Sequence, residues 1–487
     1  MFSRRIFLIG SLALAGCGKV IDNYTQPDLP DSLSPPAGMD RHPVAHFLNR
    51  ATYGPRPGQV AEVEKMGRDV WLDRQLQYKD IDDDKLELRL RRYDTLKMPS
   101  SDLLSFLDDK DYVTNELALV TLQRALYSER QLYEVVVGFW SDHFSIYHFK
   151  EEVHFLKTVD DREVIRKHAL GKFSDLLKAS AHSPAMLRYL DNTQNEKSHP
   201  NENYAREIME LHTLGVDGGY TEQDIREVAR CLTGWGMTDN GDFEFRSEWH
   251  DSGEKIVLGH TIPAGGGKAD GDRVLNILLD HPSTPHFVCT KLVRRFVSDD
   301  PPPAMVDACV QTWHSTGGEM REVIRTLLTH PDFDKAPPKL KRPFELVVSL
   351  LRGVNASWDG SKNLLNLLQT MGHRPFGWTT PDGYPDTASE WSGNMLHRWN
   401  FVLDGLANKI SGVSVDVWEL AERGKVDKDA REMLRFFGRL LLNHDLSPTD
   451  EQTIWQAVGD PPNLKKDKDR MLVALGLLAA SPAFQWR

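Results

Sequence analysis

The residues best suited to chemistry are concentrated in one short stretch, residues 201–212, which reads Asn-Glu-Asn-Tyr-Ala-Arg-Glu-Ile-Met-Glu-Leu-His. On a helix that advances about 100° per residue, Asn203, Glu207 and Glu210 share one face. Two carboxylates one turn apart can chelate a hard cation or act as a general acid and base. Glu207 has no basic residue four positions away, so the sequence leaves its charge without an obvious partner.

The same stretch also has a structural interpretation. Arg206 lies four residues from both Glu202 and Glu210, and such opposite-charge pairs line solvated helix faces. The apolar Ile208 indicates, however, that part of this helix is buried. Two interpretations therefore remain: catalytic carboxylates at Glu207 and Glu210 with Arg206 as an anion clamp, or a helix stabilised by charge pairs.

Imidazole and carboxylate donors outside this helix extend the candidate site. His143 lies in the aromatic run 139–144, as a hydrogen-bonded core residue or as a metal ligand or general base. Asp142 beside it can orient a neighbouring ring. His250 and Asp251 add two donors, although Asp-Ser-Gly also forms ordinary turns. The predicted ligands of a divalent metal are His143, Glu207, Glu210, His250 and Asp251.

Aromatic side chains could supply substrate contacts. The chain has 12 tryptophans, whose rings can stack on sugars, although most tryptophans belong to a protein core. We predict that Trp235 contacts substrate together with Asn203 and Tyr204 of the acidic helix.

Several classes of function are disfavoured. Neither the Gly-x-Ser-x-Gly elbow nor the His-Glu-x-x-His motif occurs, which argues against serine hydrolases and zincins. The Glu-x-x-His spacing of di-iron bundles occurs at 151–154, without a convincing second copy. The net charge of −12 argues against nucleic-acid binding, which needs a dense basic face.

The N-terminus predicts export. Residues 3–8 resemble the twin-arginine consensus, and 14–17 match a bacterial lipobox that ends at Cys17. The apolar run between them is about half the ~20 residues that a membrane helix requires. We therefore predict a signal peptide at 1–16 that uses the twin-arginine export machinery, and a lipid anchor at Cys17. Gly18 favours the outer membrane, facing the periplasm.

The elements that must position these side chains are mostly helical. Apolar residues three and four apart predict helices within 117–139, 162–179, 203–214 and 221–232. Residues 242–246 alternate with period two before a second apolar stretch, which predicts a small β-hairpin inserted near 242–259. We predict a mainly α protein with an extended tether at 17–40 and one large multi-helix domain at 41–487.

Four segments resemble a known bacterial family. Residues 42–54, the Phe-Trp-x-x-His-Phe run at 139–144, the central stretch 201–215 and the Pro-Asp-Gly-Tyr-Pro run at 381–385 are similar to motifs of domain-of-unknown-function family 1800. The resemblance implies a mostly helical, exported protein with no agreed activity. It also implies a partner from domain-of-unknown-function family 1501, which resembles alkaline phosphatases and sulfatases.

Three hypotheses follow. The first is an envelope lipoprotein that performs metal-assisted hydrolysis of a polysaccharide or other envelope polymer, with Glu207, Glu210, His143 and Arg206 as catalytic residues. The second is a non-catalytic binding or assembly lipoprotein, whose polar motif fixes helix packing. The third is a redox metalloenzyme.

Overall fold

The structure is a computed structural model that describes residues 18–106 and 109–487. The predicted signal peptide and the predicted lipid anchor at Cys17 lie outside these residues. In the described part of the chain, no helix is both long enough and apolar enough to cross a bilayer.

The predicted mainly α class is confirmed. The described residues are 59% helical, with 25 α-helices between Pro43 and Gln485 and three small two-stranded sheets. The helices are α1 Pro43–Ala51, α2 Gln59–Met66, α3 Arg68–Leu76, α4 Asp84–Leu90, α5 Ser100–Leu104, α6 Lys110–Tyr127, α7 Gln131–His143, α8 Val153–Asp160, α9 Phe173–Ala181, α10 Pro184–Tyr189, α11 Glu202–Glu210, α12 Glu222–Cys231, α13 Ala269–Asp280, α14 Ser283–Phe296, α15 Pro303–Thr316, α16 Met320–Thr329, α17 Pro343–Gly353, α18 Asn363–Thr370, α19 Ala388–Trp391, α20 Met395–Leu406, α21 Val417–Arg423, α22 Ala430–Leu442, α23 Pro448–Val458, α24 Lys468–Ala480 and α25 Pro482–Gln485. The strands are β1 Trp235–Met237, β2 Phe243–Phe245, β3 Lys255–Val257, β4 His260–Ile262, β5 Ser357–Trp358 and β6 Val413–Ser414.

One continuous hydrophobic core runs through the molecule. It includes Leu48 near the start, Trp140 in α7 and Leu475 in α24, all fully buried. Because these residues belong to one cluster, the described residues form a single large domain, in agreement with the prediction.

Local chemistry explains where the central helices begin. The Asn201 side chain accepts a hydrogen bond from the backbone N–H of Asn203 and so caps α11. Thr221 and Asp224 form a reciprocal capping box at the start of α12. These two helices pack against each other, so the acidic motif lies on a rigid pair.

Two predicted helices are divided. The segment 117–139 spans α6 and α7, because the Asp83 carboxylate accepts hydrogen bonds from the Ser128 hydroxyl and the Glu129 N–H and draws the chain out of the helix. The segment 162–179 begins in a π-helical turn and continues, after a break, as α9.

The strand pairing differs from the predicted hairpin. β2 pairs with β1, and β3 pairs with β4, so the two predicted strands belong to separate sheets. His250 and Asp251 lie between these sheets without joining β2 to β3. Their side chains contact Thr233 and Arg230 instead, which fixes this segment to the end of α12.

The segment before α1 differs from the predicted extended tether. Residues 18–24 are helical, and the buried Asp22 carboxylate lies 3.3 Å from the Arg89 guanidinium and 2.5 Å from that of Arg92. Further along, Leu33 is buried and donates its N–H to the Arg423 carbonyl. This segment is therefore part of the folded body.

Candidate functional site

A cavity of about 480 Å³ opens at the C-terminal end of α7, between α14 and the segment 378–387. This volume is within the range of small-molecule sites. The charged and imidazole side chains that line it are Asp142, His143, Lys291, Arg294, Arg295, Arg342, Asp382, Asp386 and Glu390. We call it the mixed-charge cavity.

The turn at 381–385 forms one wall of this cavity. Gly383 has a φ of +76°, and a Cβ there would collide with the Asp142 carbonyl, so the close approach of the turn to α7 requires glycine. The indole N–H of Trp378 and the Thr380 hydroxyl donate to Asp382 Oδ1 at 2.9 and 2.5 Å. The Asp382 carboxylate is therefore held in one orientation at the cavity mouth.

His143 lies in the cavity wall, and its ring is buried among aromatic side chains. Its Nε2 lies 3.1 Å from the His212 carbonyl and so donates to it, while Nδ1 is buried without a hydrogen-bond partner among the described residues. Burial and the nearby Lys291 charge hold the pKa of His143 well below its usual range. The imidazole is therefore neutral at pH 7.

Lys291 contributes to the cavity a cation that forms no direct ion pair with the described residues. Its ammonium forms no ion pair with the residues that the structure describes, and its nearest aromatic neighbour is Phe287, with 5.5 Å to the ring centroid. Burial lowers the pKa of Lys291 to about 8, although Asp142 and Asp382 act in the opposite direction. Sequence reasoning missed this residue, because an isolated lysine in an amphipathic helix gives no signal.

Glu207 is the acid that the sequence left without a partner. Its carboxylate is half-buried and forms no hydrogen bond or ion pair within 18–106 and 109–487. Burial, followed by the charges of Glu210 and Asp382, raises its pKa. Asp382 lines the mixed-charge cavity, whereas Glu207 is not one of the residues that line it and interacts with Asp382 only through charge.

Arg206 and Glu210 do not join this arrangement as predicted. Arg206 donates two hydrogen bonds to Glu222, at 2.9 and 2.7 Å, and lies 3.6 Å from Glu202. Glu222, in the first turn of α12, thus replaces Glu210 as its partner. Glu210 accepts a 3.4 Å hydrogen bond from Tyr220. Arg206 therefore forms an ion pair between the two helices, and its role as an anion clamp stays a prediction.

The predicted substrate contacts are also placed elsewhere. Tyr204 and Trp235 are each 1% exposed, so neither ring can present a face to a ligand. Trp235 stacks on His182, with 4.5 Å between ring centroids. Asn203 is exposed and donates to Asp191 at 3.3 Å. Tyr204 and Trp235 therefore lie in the core and do not line a cleft.

His250 and Asp251 lie in a separate polar network. His250 Nδ1 is 2.9 Å from the Thr233 carbonyl, and its Nε2 is 3.2 Å from Asp270. Asp251 pairs with Arg230 at 2.7 Å, which lowers its pKa. This network lies at the C-terminal end of α12, whereas Arg206 meets its N-terminal end, about 15 Å away along a ten-residue helix.

The predicted metal ligands are therefore not brought together. In the described ranges, no group of three or more His, Cys, Asp or Glu side chains is arranged to hold a metal ion. The prediction that His143, Glu207, Glu210, His250 and Asp251 form one set is wrong, because the two ends of α12 separate its members.

A buried ionic network supports the floor of the cavity. Glu345, 2% exposed, contacts the guanidinium groups of Arg295, Arg342 and Arg487, and these cations hold its pKa well below the usual range. Arg342 also donates to Asp142 at 2.7 Å. The Asp142 carboxylate therefore orients the Arg342 guanidinium and not a neighbouring imidazole ring. Since removing one partner leaves a buried charge unpaired, this network fixes the cavity wall.

These features define a class: a single-domain, mainly α-helical protein with a mixed-charge cavity at the end of α7. The model of the family described as "Protein of unknown function (DUF1800)" matches residues 46–486, and the chain belongs to this family. No curated protein matches the chain, and no solved structure does.

Proposed function

We propose that this protein is an exported envelope lipoprotein that hydrolyses an envelope polysaccharide in the mixed-charge cavity. Glu207 serves as the proton donor and Asp382 as the second carboxylate. The observation that carries the proposal is the Glu207 carboxyl, which has no ion-pair partner among the described residues and whose pKa is raised in part by the charge of Asp382, an oriented carboxylate that lines the cavity. The half-buried Trp378 lines the same cavity and offers a ring for sugar stacking.

Glycoside hydrolysis uses one carboxyl group as a proton donor and a second carboxylate as a base or nucleophile. A carboxyl group with a raised pKa keeps its proton and delivers it to the leaving glycosidic oxygen. The second carboxylate activates water or attacks the anomeric carbon, and water completes the reaction. Lys291, without an ion-pair partner, stabilises negative charge in the bound substrate or on Asp382.

This proposal assigns proton transfer, rather than metal binding, to the acidic helix. The predicted metal donors lie in separate networks, so we route no step through a metal. Elemental analysis of the exported protein tests this choice, because the metal-assisted and redox hypotheses both require near-stoichiometric metal.

A second candidate is a non-catalytic binding or assembly lipoprotein. It is favoured by the internal hydrogen bonds of the central motif. The Asn192 amide donates to the Leu232 and Trp235 carbonyls, and the Asn195 amide donates to the Ala229 carbonyl. These bonds fix the end of α12 and involve no outside group.

Hydrolysis is tested with the full chain on a panel of envelope polysaccharides, by measuring the release of reducing ends. Glu207→Gln and Asp382→Asn should each abolish release while leaving the melting temperature close to wild type. Glu202→Gln is the matched control on the same helix and should retain activity. Polysaccharide binding without release by the wild-type protein would instead support the assembly candidate.

Export and lipidation are tested separately in cells. Replacing Arg4 and Arg5 with lysine should retain the protein in the cytoplasm. Cys17→Ser should leave it exported but absent from the membrane fraction. Unchanged fractionation of both variants would contradict the proposed localisation.

A further inference from the structure

A second cavity, of about 720 Å³, lies where the start of α1, the segment 338–341, the end of α22 and the segment 482–487 meet. Its basic and imidazole side chains are Arg41, His42, His46, Lys341, His444 and Arg487. None of its lining residues is Asp or Glu, although the whole chain carries a net charge of −12. We call it the basic cavity.

Lys341 shows that the basic cavity lacks a counter-charge. The residue is 3% exposed, and its ammonium forms no hydrogen bond or ion pair with any part of the chain that the structure describes. It lies 3.6 Å from the centroid of the Phe484 ring. Burial, and then the charge of Arg487, lower the pKa of Lys341 to about 7. A buried ammonium without an anionic partner is costly.

The neighbouring carboxylates are already engaged. Glu345, behind the cavity, is shared by several arginines that include Arg487, at 3.1 Å. Asp445 pairs with Arg439 at 2.5 Å. His42 pairs with Glu64 at 3.0 Å. Two of these three carboxylates contact side chains of the cavity wall, at Arg487 and His42, and none of the three forms an ion pair with Lys341.

The rim of the basic cavity is apolar. Met39 and Trp486, which line it, are 60% and 39% exposed, and Leu441 and Leu442 contribute to the wall. Exposed large apolar side chains beside a polar pocket mark a contact surface. A ligand that fits both features has an anionic group and an apolar part.

We infer that the basic cavity binds the phosphate group of an amphipathic ligand, with Lys341 as the central contact and Arg41 and Arg487 beside it. Phosphate suits this wall because lysine and arginine are the side chains that bind it, and because its charge exceeds that of a carboxylate. A free phosphate and a phospholipid headgroup share this chemistry.

Calorimetric titration of the full chain with inorganic phosphate, in phosphate-free buffer at constant ionic strength, tests the inference. We expect saturable binding that Lys341→Met weakens by about 10-fold or more, as loss of a charged hydrogen bond does. The control, Lys335→Met, removes an exposed lysine that pairs with Asp332 at 2.8 Å, and should bind like wild type. Ala483→Glu places an acid in the wall at an exposed position and should also weaken binding.

Vesicles distinguish the two sources of phosphate. Binding to phosphatidylglycerol vesicles but not to phosphatidylcholine vesicles, lost in folded Lys341→Met, assigns the site to a headgroup. Binding of inorganic phosphate alone assigns it to a soluble ligand. Absence of both, or binding that neither Lys341→Met nor Ala483→Glu changes, overturns the inference.

Discussion

The two cavities differ in how their charges are balanced. The mixed-charge cavity is lined by four carboxylates and four Lys or Arg side chains, and several of these pair with one another. The basic cavity has no carboxylate in its wall. They approach each other at Glu345, whose arginine partners line both. A site whose positive and negative charges balance can orient polar groups without a ligand. A site with excess positive charge is balanced only when it binds an anion.

The largest expected effect is on the hydrolysis proposed for the mixed-charge cavity. Glu207→Gln should lower polysaccharide hydrolysis by about 10²–10⁴-fold, the usual contribution of a general acid. Because the acid acts when protonated, wild-type activity should fall as the pH rises through the raised pKa of Glu207. This alkaline limb of the pH–rate profile should be absent from the variant. Rates measured from pH 3 to 9 test both statements. A variant that keeps the wild-type limb would remove Glu207 from the mechanism.

The second largest effect is expected at the turn 381–385, which packs closely against α7. Gly383→Ala should lower the free energy of unfolding by about 1–2 kcal/mol for the positive φ, and by about 1–3 kcal/mol more for overpacking against Asp142. Gly372→Ala is the control, since its φ of +73° meets no atom within 4 Å. Equal destabilisation of the two variants, in urea titrations, would show that the turn tolerates a Cβ.

Lys341→Met should stabilise the folded protein, whereas Gly383→Ala should destabilise it. In phosphate-free buffer it should raise the free energy of unfolding by about 1–3 kcal/mol, because an unpaired buried cation is removed. The folded-state pKa of about 7 lies below the ordinary value of 10.5, so wild-type stability falls as the pH drops from about 10.5 to 7. The gap between variant and wild type should therefore widen over that range and stay constant below it. A destabilised variant, in melting curves, would indicate a structural role for the ammonium.

The smallest effect is expected at Arg206. Arg206→Gln should cost about 0–1 kcal/mol of stability, because its ion pairs with Glu222 and Glu202 are exposed. Hydrolysis should stay at the wild-type rate. A selective loss of kcat would instead support the predicted catalytic role of Arg206.

Sequence patterns predicted the structural features that depend on residues close together in the chain. The period of the apolar residues indicated the helical class. Glu207 has no basic residue four positions away, and its carboxylate forms no ion pair with the residues that the structure describes. Short strands of three residues carry too little signal to choose partners, so the pairing of β2 with β1 could not be predicted.

Contacts between residues that are far apart in the chain could not be predicted from the sequence. Asp382 and Lys291 line one cavity although 91 positions separate them, and no local pattern joins them. Tyr204 and Trp235 are chemically suited to a sugar site, but composition does not distinguish a buried ring from an exposed one. The Pro-Asp-Gly-Tyr-Pro run resembles a family motif, and its glycine is the one local signal of the close backbone approach at Gly383.

The docked segment before α1 sets how far the protein could range from a membrane. Fully extended, residues 17–40 would allow an excursion of roughly 80 Å. Since residues 18–24 are helical and Asp22 is bound to Arg89 and Arg92, only residues 18–21 separate the proposed lipid attachment from the docked Asp22, a helical length of roughly 6 Å. With Cys17 acylated as proposed, the protein rests on the bilayer surface and encounters polymers that lie along it, rather than those deeper in the surrounding space.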